Sequence, residues 1–363
     1  MQSTFGKTLK ITISGESHGE QISVRMQGFP ADEAVDLQAV EAFLHRRAPG
    51  NDPFSTTRKE SDKPEVLSGI VNDATDGGII EAIIRNQNQH STDYDSLRFV
   101  PRPSHADYPA RAKYGDALDL RGGGHFSGRL TAPLCFAGAV CLQYLARRGI
   151  YVGAHIAQIA EIKDDRFDAV HVSKADFDAL HKKPFCVINS KAGAQMQTKI
   201  LAARGEGDSV GGVIEVAVIG LPVGLGTPLY DGLESRLAAN FFGIPAVKGI
   251  DFGSGFDAVL MRGSQHNDAY TVDPESGEIR TLTNHAGGCT GAITNGMPII
   301  LRAAFKPTPS IAKTQQSVDL QTKEIVELNI KGRHDPCIVP RALPVAEAMA
   351  AITVTDLLLE DAQ

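Results

Sequence analysis

The chain has 363 residues, is 42% hydrophobic and carries a net charge of −7 with a pI near 5.9. That is enough for a large core in one or two domains, without the global basic field that attracts nucleic acid. No apolar run of about 18 residues stands out and the N-terminus lacks a signal-peptide pattern, so a soluble cytoplasmic protein is expected, with no membrane partner.

Leu9 to Ser14 reads as a strand that runs into Gly15-Glu16-Ser17-His18-Gly19. A histidine held between glycines directly after a strand is well placed for chemistry. A strand resumes at Ile22 to Met26, Gly28-Phe29-Pro30 turns, and Asp36 to Arg47 has helical spacing, with Leu37, Val40, Phe43 and Leu44 on one face. The helix ends in Arg46 and Arg47. The Pro- and Gly-containing loop behind it adds Ser55, Thr56, Thr57 and Arg58, a basic, hydroxyl-rich loop shaped to receive an anion. After a strand over Gly78 to Arg85, residues 86–118 are polar and Pro-punctuated, too long for an idle connection, with His105 beside Asp107 and Tyr108.

Asp119 to Ala132 reads DLRGGGHFSGRLTA. Gly122, Gly123 and Gly124 let backbone N–H groups crowd against a ligand, and His125, Ser127 and Arg129 follow at once. Ser127 is the expected N-cap of an apolar helix through Arg148, because Pro133 is tolerated only near a helix start. Glycine loop, helix dipole, hydroxyl and guanidinium together make an anion site. Further on, Ile150 to Ile162 reads as a strand, 163–184 as a charged surface excursion, and 191–204 as a helix. GEGDSVGG (205–212) opens a strand, so it is not a dinucleotide fingerprint.

An internal echo is present. Ile22 to Pro30 and Ile214 to Pro222 share the pattern I-x-V-x-x-x-G-[FL]-P, each followed by a loop and a helix (36–47 and 230–242). DGGIIEAIIRN (76–86) has its counterpart in NGMPIILRAAF (295–305). The expected fold is therefore one α/β (α+β) domain with two duplicated halves, roughly 10–150 and 205–350, whose equivalent loops meet at a shared cleft. The second half brings the glycine loop 284–292, the Lys306-Pro307-Thr308-Pro309-Ser310 segment, whose ammonium and hydroxyls suit a phosphate, the run Arg333-His334-Asp335, and a closing helix from Arg341 to Leu359.

Arg46, Arg47, Arg58, Arg129, Lys306 and Arg333, with two isolated histidines and one Asp, fit two anionic ligands side by side. No Walker lysine motif, GxSxG or metal-spaced carboxylate cluster is present in the sequence, and the five cysteines form no CxxC pair. The residues alone point to an acid–base enzyme acting on a polyanionic small molecule with a phosphorylated cofactor.

GESHG, the RR…TTR.E.D loop, PSHADY, RGGGHFSGR.TA, AVKG…GF, RGS, NHAGG, KPTPSI and GRHDPC..PRA.P.AEAM together resemble chorismate synthases, from residue 15 to about 350. The resemblance implies a β–α–β sandwich (the chorismate synthase fold), a usual homotetramer, and conversion of 5-enolpyruvylshikimate 3-phosphate to chorismate with reduced FMN (FMNH2). The bifunctional alternative also reduces the flavin with NADPH. By motif, the resemblance assigns His18 to protonate the departing phosphate, His105 to donate to the reduced flavin, and Asp335 to assist removal of the substrate C6 proton. It gives Ser17, Arg46, Arg47, Arg129 and Arg333 to the substrate. His125, Phe126, Ser127, Ala246, Gly291, Lys306, Pro307, Thr308, Pro309, Ser310 and Arg333 go to the flavin, and no metal is implied. The family's GGG-R-S-S is here GGG-H-F-S, an Asn before AVKG is Pro245, Ala48 is inserted in the arginine loop, and Pro53 stands near where many members place another Arg. His125 is accordingly expected to take a polar role at the flavin edge.

Overall fold

The computed structural model describes residues 1–50, 54, 61–86, 99–115, 119–274, 276–330 and 334–362. Strands β1 (Gln2–Phe5), β2 (Lys10–Gly15), β3 (Gln21–Gln27), β4 (Pro64–Ser68) and β5 (Ile80–Arg85) form an antiparallel sheet in the order β1-β2-β3-β5-β4. Strands β6 (Tyr151–Ile159), β7 (Ile162–Lys163), β8 (Gly212–Ile219), β9 (Val247–Phe252) and β10 (Ile299–Phe305) form another, in the order β9-β10-β8-β6-β7, so the second half draws two strands from before residue 205. Read from β4 and from β9, the two sheets share the chain order fourth-fifth-third over three strands and differ at the other end, where β2-β1 corresponds to β6-β7. They also share a register: Ile22 pairs with Ile84 and Met26 with Ile80, while Ile214 pairs with Ala303 and Val218 with Ile299. These are the positions that the two sequence echoes align.

Helix α1 (Leu37–Arg47) starts at Asp36, whose side chain accepts from the Gln38 and Ala39 amides, as an N-cap should. The remaining helices are α2 (Asp107–Tyr114), α3 (Thr131–Ala146), α4 (Lys174–His181), α5 (Ser190–Gly205), α6 (Leu233–Phe242), the single turn α7 (Gly263–His266) and α8 (Val339–Asp361). Each long loop that leaves the edge of its echo, after β5 and after β10, leads into an apolar helix, α3 or α8. Helix α3 packs on β3 and β5, α8 packs on β6 and β8, and the two pack on each other, with α1 and α6 alongside. The layers are sheet, helices, sheet, a β–α–β sandwich with one continuous core.

One expectation changes. Gly128–Ala146 and Val339–Asp361 are long and apolar enough to cross a membrane, so apolar runs of that length do exist, but 83% and 89% of their most apolar windows are buried within the fold. A helix hydrophobic on all sides is here the centre of a three-layer protein. Residues 163–184 are mostly exposed, as expected, yet a few of them also cover the second sheet. Phe167, Val172, Phe177 and Leu180 pack with Ala217 and Ile300 on the outer face of the second sheet. Beneath them His155 lies fully buried between Asp164 (Nδ1, 3.2 Å) and Glu215 (Nε2, 2.9 Å), and these partners raise its pKa against the effect of burial.

Candidate active site

The triple-glycine stretch is built by backbone conformation. Gly122, Gly123 and Gly124 have φ of 59°, 92° and 54°, left-handed values that L side chains resist. A Cβ on Gly122 would come within 2.2 Å of the His18 ring, and one on Gly124 within 2.2 Å of the Asp119 carbonyl. The Ser17 amide donates to the Gly124 carbonyl at 3.1 Å, so the GESHG turn is docked directly on the glycines. Ser17 and His18 are both buried there, behind Gly122. The Ser127 hydroxyl then accepts from the Arg129 amide and caps the 3-10 turn Gly128–Leu130 that leads into α3.

In front of the glycines is a cleft of about 460 Å³, within the range of small-molecule sites. The loop after β5 supplies Arg102, Ser104, His105, Gly122, Phe126, Ser127 and Arg129, and α1 supplies Arg47. The loop after β10 supplies Lys306, Thr308, Pro309, Ser310, His334 and Asp335, α8 supplies Arg341, and Pro245 and Ala246 complete the wall. The equivalent loops of the two halves thus meet in one cleft.

Its electrostatics rest on buried pairs. Arg47 donates from Nη1 to Asp62 Oδ2 (2.5 Å), from Nε to Thr131 and from Nη2 to the Gly128 carbonyl. Arg129 takes the other Asp62 oxygen and Asn86 Oδ1. Burial opposes ionisation of Asp62, yet the Arg47 and Arg129 guanidiniums outweigh it and hold the carboxyl below its usual range. The two arginines share one carboxylate, one on each oxygen. Arg102 grips Asp107 with Nε–Oδ2 at 2.7 Å and Nη2–Oδ1 at 2.8 Å, and reaches Ser310 Oγ at 3.2 Å. Asp335 accepts from Arg341 Nη1 at 2.6 Å. Burial lowers the pKa of Lys306, whose ammonium donates to the Ser104 carbonyl, and lowers that of His334.

Of the residues singled out from sequence, Arg47, His105, Phe126, Ser127, Arg129, Ala246, Lys306, Thr308, Pro309, Ser310 and Asp335 line this cleft. Others lie elsewhere in the chain. Arg46 turns away from it and forms a two-point pair with Glu347 of α8, at 2.7 and 3.2 Å. His125 bonds the Gly15 carbonyl through Nδ1 (2.8 Å) and Ser3 through Nε2 (2.9 Å), tying the glycine stretch to the first sheet and standing outside the cleft wall. Gly291 sits at the tip of the Cys289–Thr290/Ile293–Thr294 hairpin, outside the cleft wall, because that hairpin packs at the start of α6 through the Leu233 amide and Ala292 carbonyl. The Pro307 ring turns toward Gly211. Pro53, Arg58 and Arg333 lie outside the described residues.

Arg102, Asp62, Asn86, His334 and Arg341 received no role from the sequence. A signal existed for Arg102, an arginine three residues before His105 in a Pro-punctuated loop, and for Asp62, the acid that ends the TTR.E.D pattern.

Residues 9–359 match the family described as chorismate synthase. The chorismate synthase of Korarchaeum cryptofilum is 45% identical over 352 residues, covering 97% of this chain and 96% of its own. That of Thermococcus gammatolerans is 43% identical over 354 residues, covering 98% and 97%. The crystal structure of a chorismate synthase superposes with a TM-score of 0.76 at 29% identity, over 98% of this chain and 93% of that one. Sandwich, echo and cleft agree with these matches along nearly the whole length: the chain belongs to the chorismate synthase family.

Proposed function

We propose that this chain is an FMN-dependent lyase that eliminates phosphate from 5-enolpyruvylshikimate 3-phosphate in a 1,4-anti sense, giving chorismate for aromatic amino acid biosynthesis. The observation that carries this reading is the convergence of Arg47, Arg129 and Lys306 with His105 and Asp335 in one cleft, on loops of both halves. Cations placed by buried carboxylates suit a substrate with a phosphate and two carboxylates.

The donor set also fits a polar, phosphorylated cofactor. Thr308 Oγ1 and His334 Nε2 are buried in residues of the cleft wall without a partner among the described residues, which is uncommon where no ligand binds. Phe126 offers a ring, and Ser127, Lys306, Thr308 and Ser310 offer a cation and hydroxyls to hold it. When bound, reduced FMN would supply electron density that helps expel phosphate. The protein orients the substrate, excludes water and moves protons. His18, reaching the wall at side-chain-free Gly122, gives its proton to the departing phosphate oxygen. Asp335, held by Arg341, assists removal of the C6 proton, and His105 donates toward the reduced ring. No net redox change occurs, since the C–H pair forms the new double bond as the C–O bond breaks.

An anaerobic assay of chorismate formation with dithionite-reduced and with oxidised FMN tests the reading. Turnover with reduced flavin alone is expected, and equal turnover with both forms overturns the flavin requirement. A third arm, oxidised FMN with NADPH, separates a chain that reduces its own flavin from one that is supplied with it.

A further inference from the structure

We propose that Asp107 is a positioning residue for His105, holding its imidazole as the Nδ1–H tautomer with the Nε2 edge turned to Gly123 and the cleft. The proposal deepens the function given above and rests on it.

Asp107 opens α2 and is buried. Its Oδ1 lies 2.8 Å from His105 Nδ1, and its Oδ2 receives both the Arg102 amide (3.0 Å) and Arg102 Nε (2.7 Å). Burial opposes ionisation, but the hydrogen bonds from Arg102 and His105 hold this carboxyl well below its usual range. An ionised carboxylate only accepts, so a nitrogen at 2.8 Å must bring the proton. Arg102 Nη2, a donor, stands 3.2 Å from the same Nδ1, but it already donates to Asp107 Oδ1 at the shorter 2.8 Å, and a bare Nδ1 would set its lone pair against that carboxylate oxygen. On the other edge of the ring, a Cβ on Gly123 would meet Cε1 at 3.2 Å and Nε2 at 3.3 Å.

Neutral His105 therefore presents a lone pair at Nε2. It donates there only when the ring carries both protons. Arg102 ties the pair to Ser310 of the other half, so both halves fix the orientation of one ring.

The test is 15N NMR of histidine-labelled, flavin-free protein, with the His105 signals assigned by their loss in His105→Ala. Wild type is expected to show Nδ1 protonated and Nε2 bare above the ring's titration. In Asp107→Asn the two donors on Oδ2 keep the amide oxygen there and turn its NH2 toward His105, so the Nε2–H tautomer is expected. With reduced FMN, kcat of that variant should fall about 10–100-fold, as when other orienting partners are lost, while KM for the substrate stays near wild type. Asp107→Glu should regain part of kcat. An Nε2–H tautomer in wild type overturns the proposal, as does an Asp107→Asn protein with the wild-type tautomer or wild-type kcat. Where Asp107→Asn does not fold, the wild-type spectrum decides alone. No chorismate from wild type with reduced FMN refutes the proposed function instead, and the tautomer measurement still stands.

Discussion

At the scale of single residues, the cleft depends on carboxylates that never face a ligand. Asp62 separates two arginines that would otherwise repel in a buried space. Removing one partner of such a network leaves uncompensated charge and costs about 3–5 kcal/mol, so Asp62→Asn should lower the denaturant midpoint sharply. A midpoint within error of wild type would mean the arginines find other partners. The same groups set an acid limit. Asp62 and Asp107 have folded pKa values below the unfolded value of about 3.9, so their stabilisation is complete above about pH 4 and is lost as pH falls through the folded values. Stability measured from pH 6 down to pH 2 should therefore drop below about pH 4, and Asp62→Asn should flatten that slope. For the proton handlers, His18→Ala and Asp335→Asn should each reduce the single-turnover rate by about 10²–10⁴-fold with the substrate still bound. Two folded, substrate-binding variants with wild-type rates would rule out their assigned roles.

At the scale of elements, α3 and α8 approach each other closely in the core. A Cβ on Gly138 would lie 2.2 Å from Ala348 Cβ and 2.5 Å from its Cα, so this glycine sets how near the two helices come. By helix propensity alone Gly138→Ala should stabilise by about 1 kcal/mol. Overpacking a rigid core costs about 1–3 kcal/mol, and the contact is with backbone, which cannot rotate away. Packing should win, giving a lower melting temperature, whereas a rise would show that the helices separate freely. Both helices lead directly out of cleft loops, so a shift between them also moves Arg129 against Asp335.

At the scale of the whole molecule, two half-units place their loops at a common cleft and leave other apolar groups uncovered. Leu229 and Tyr230 stand exposed before α6, and Phe256, Val259 and Leu260 stand exposed on the turn Gly255–Leu260. Surface of this kind marks an interaction face, and we propose self-association, to the homotetramer that the family resemblance implies. Light scattering at micromolar concentration should report four chains. A clean monomer would overturn this.

The sequence by itself determined the two half-units and their register, because period-two apolar patterning lets a strand pair in one way without turning its core face to solvent. It also determined the central helices and the glycine stretch, through local signals: the Ser127 cap, the early Pro133, and three glycines where only glycine fits. What only the tertiary structure decided is which charged group meets which. Arg46 and Arg47 are neighbours that look alike in sequence, but one residue turns a helix by about 100°, sending Arg46 to Glu347, 301 positions away, and Arg47 to Asp62, 15 away. His125 sits within the glycine stretch yet serves the first sheet, since its nearest acceptor is the Gly15 carbonyl. Residues 163–184 read as surface from their charge, but His155 and Glu215 on the second sheet put polar groups on a buried face. A carboxylate and an apolar cover had to come from there, because a buried charge is stable only when paired. Glu215 is 60 positions from His155 and Asp164 nine, and no local pattern announces either pairing.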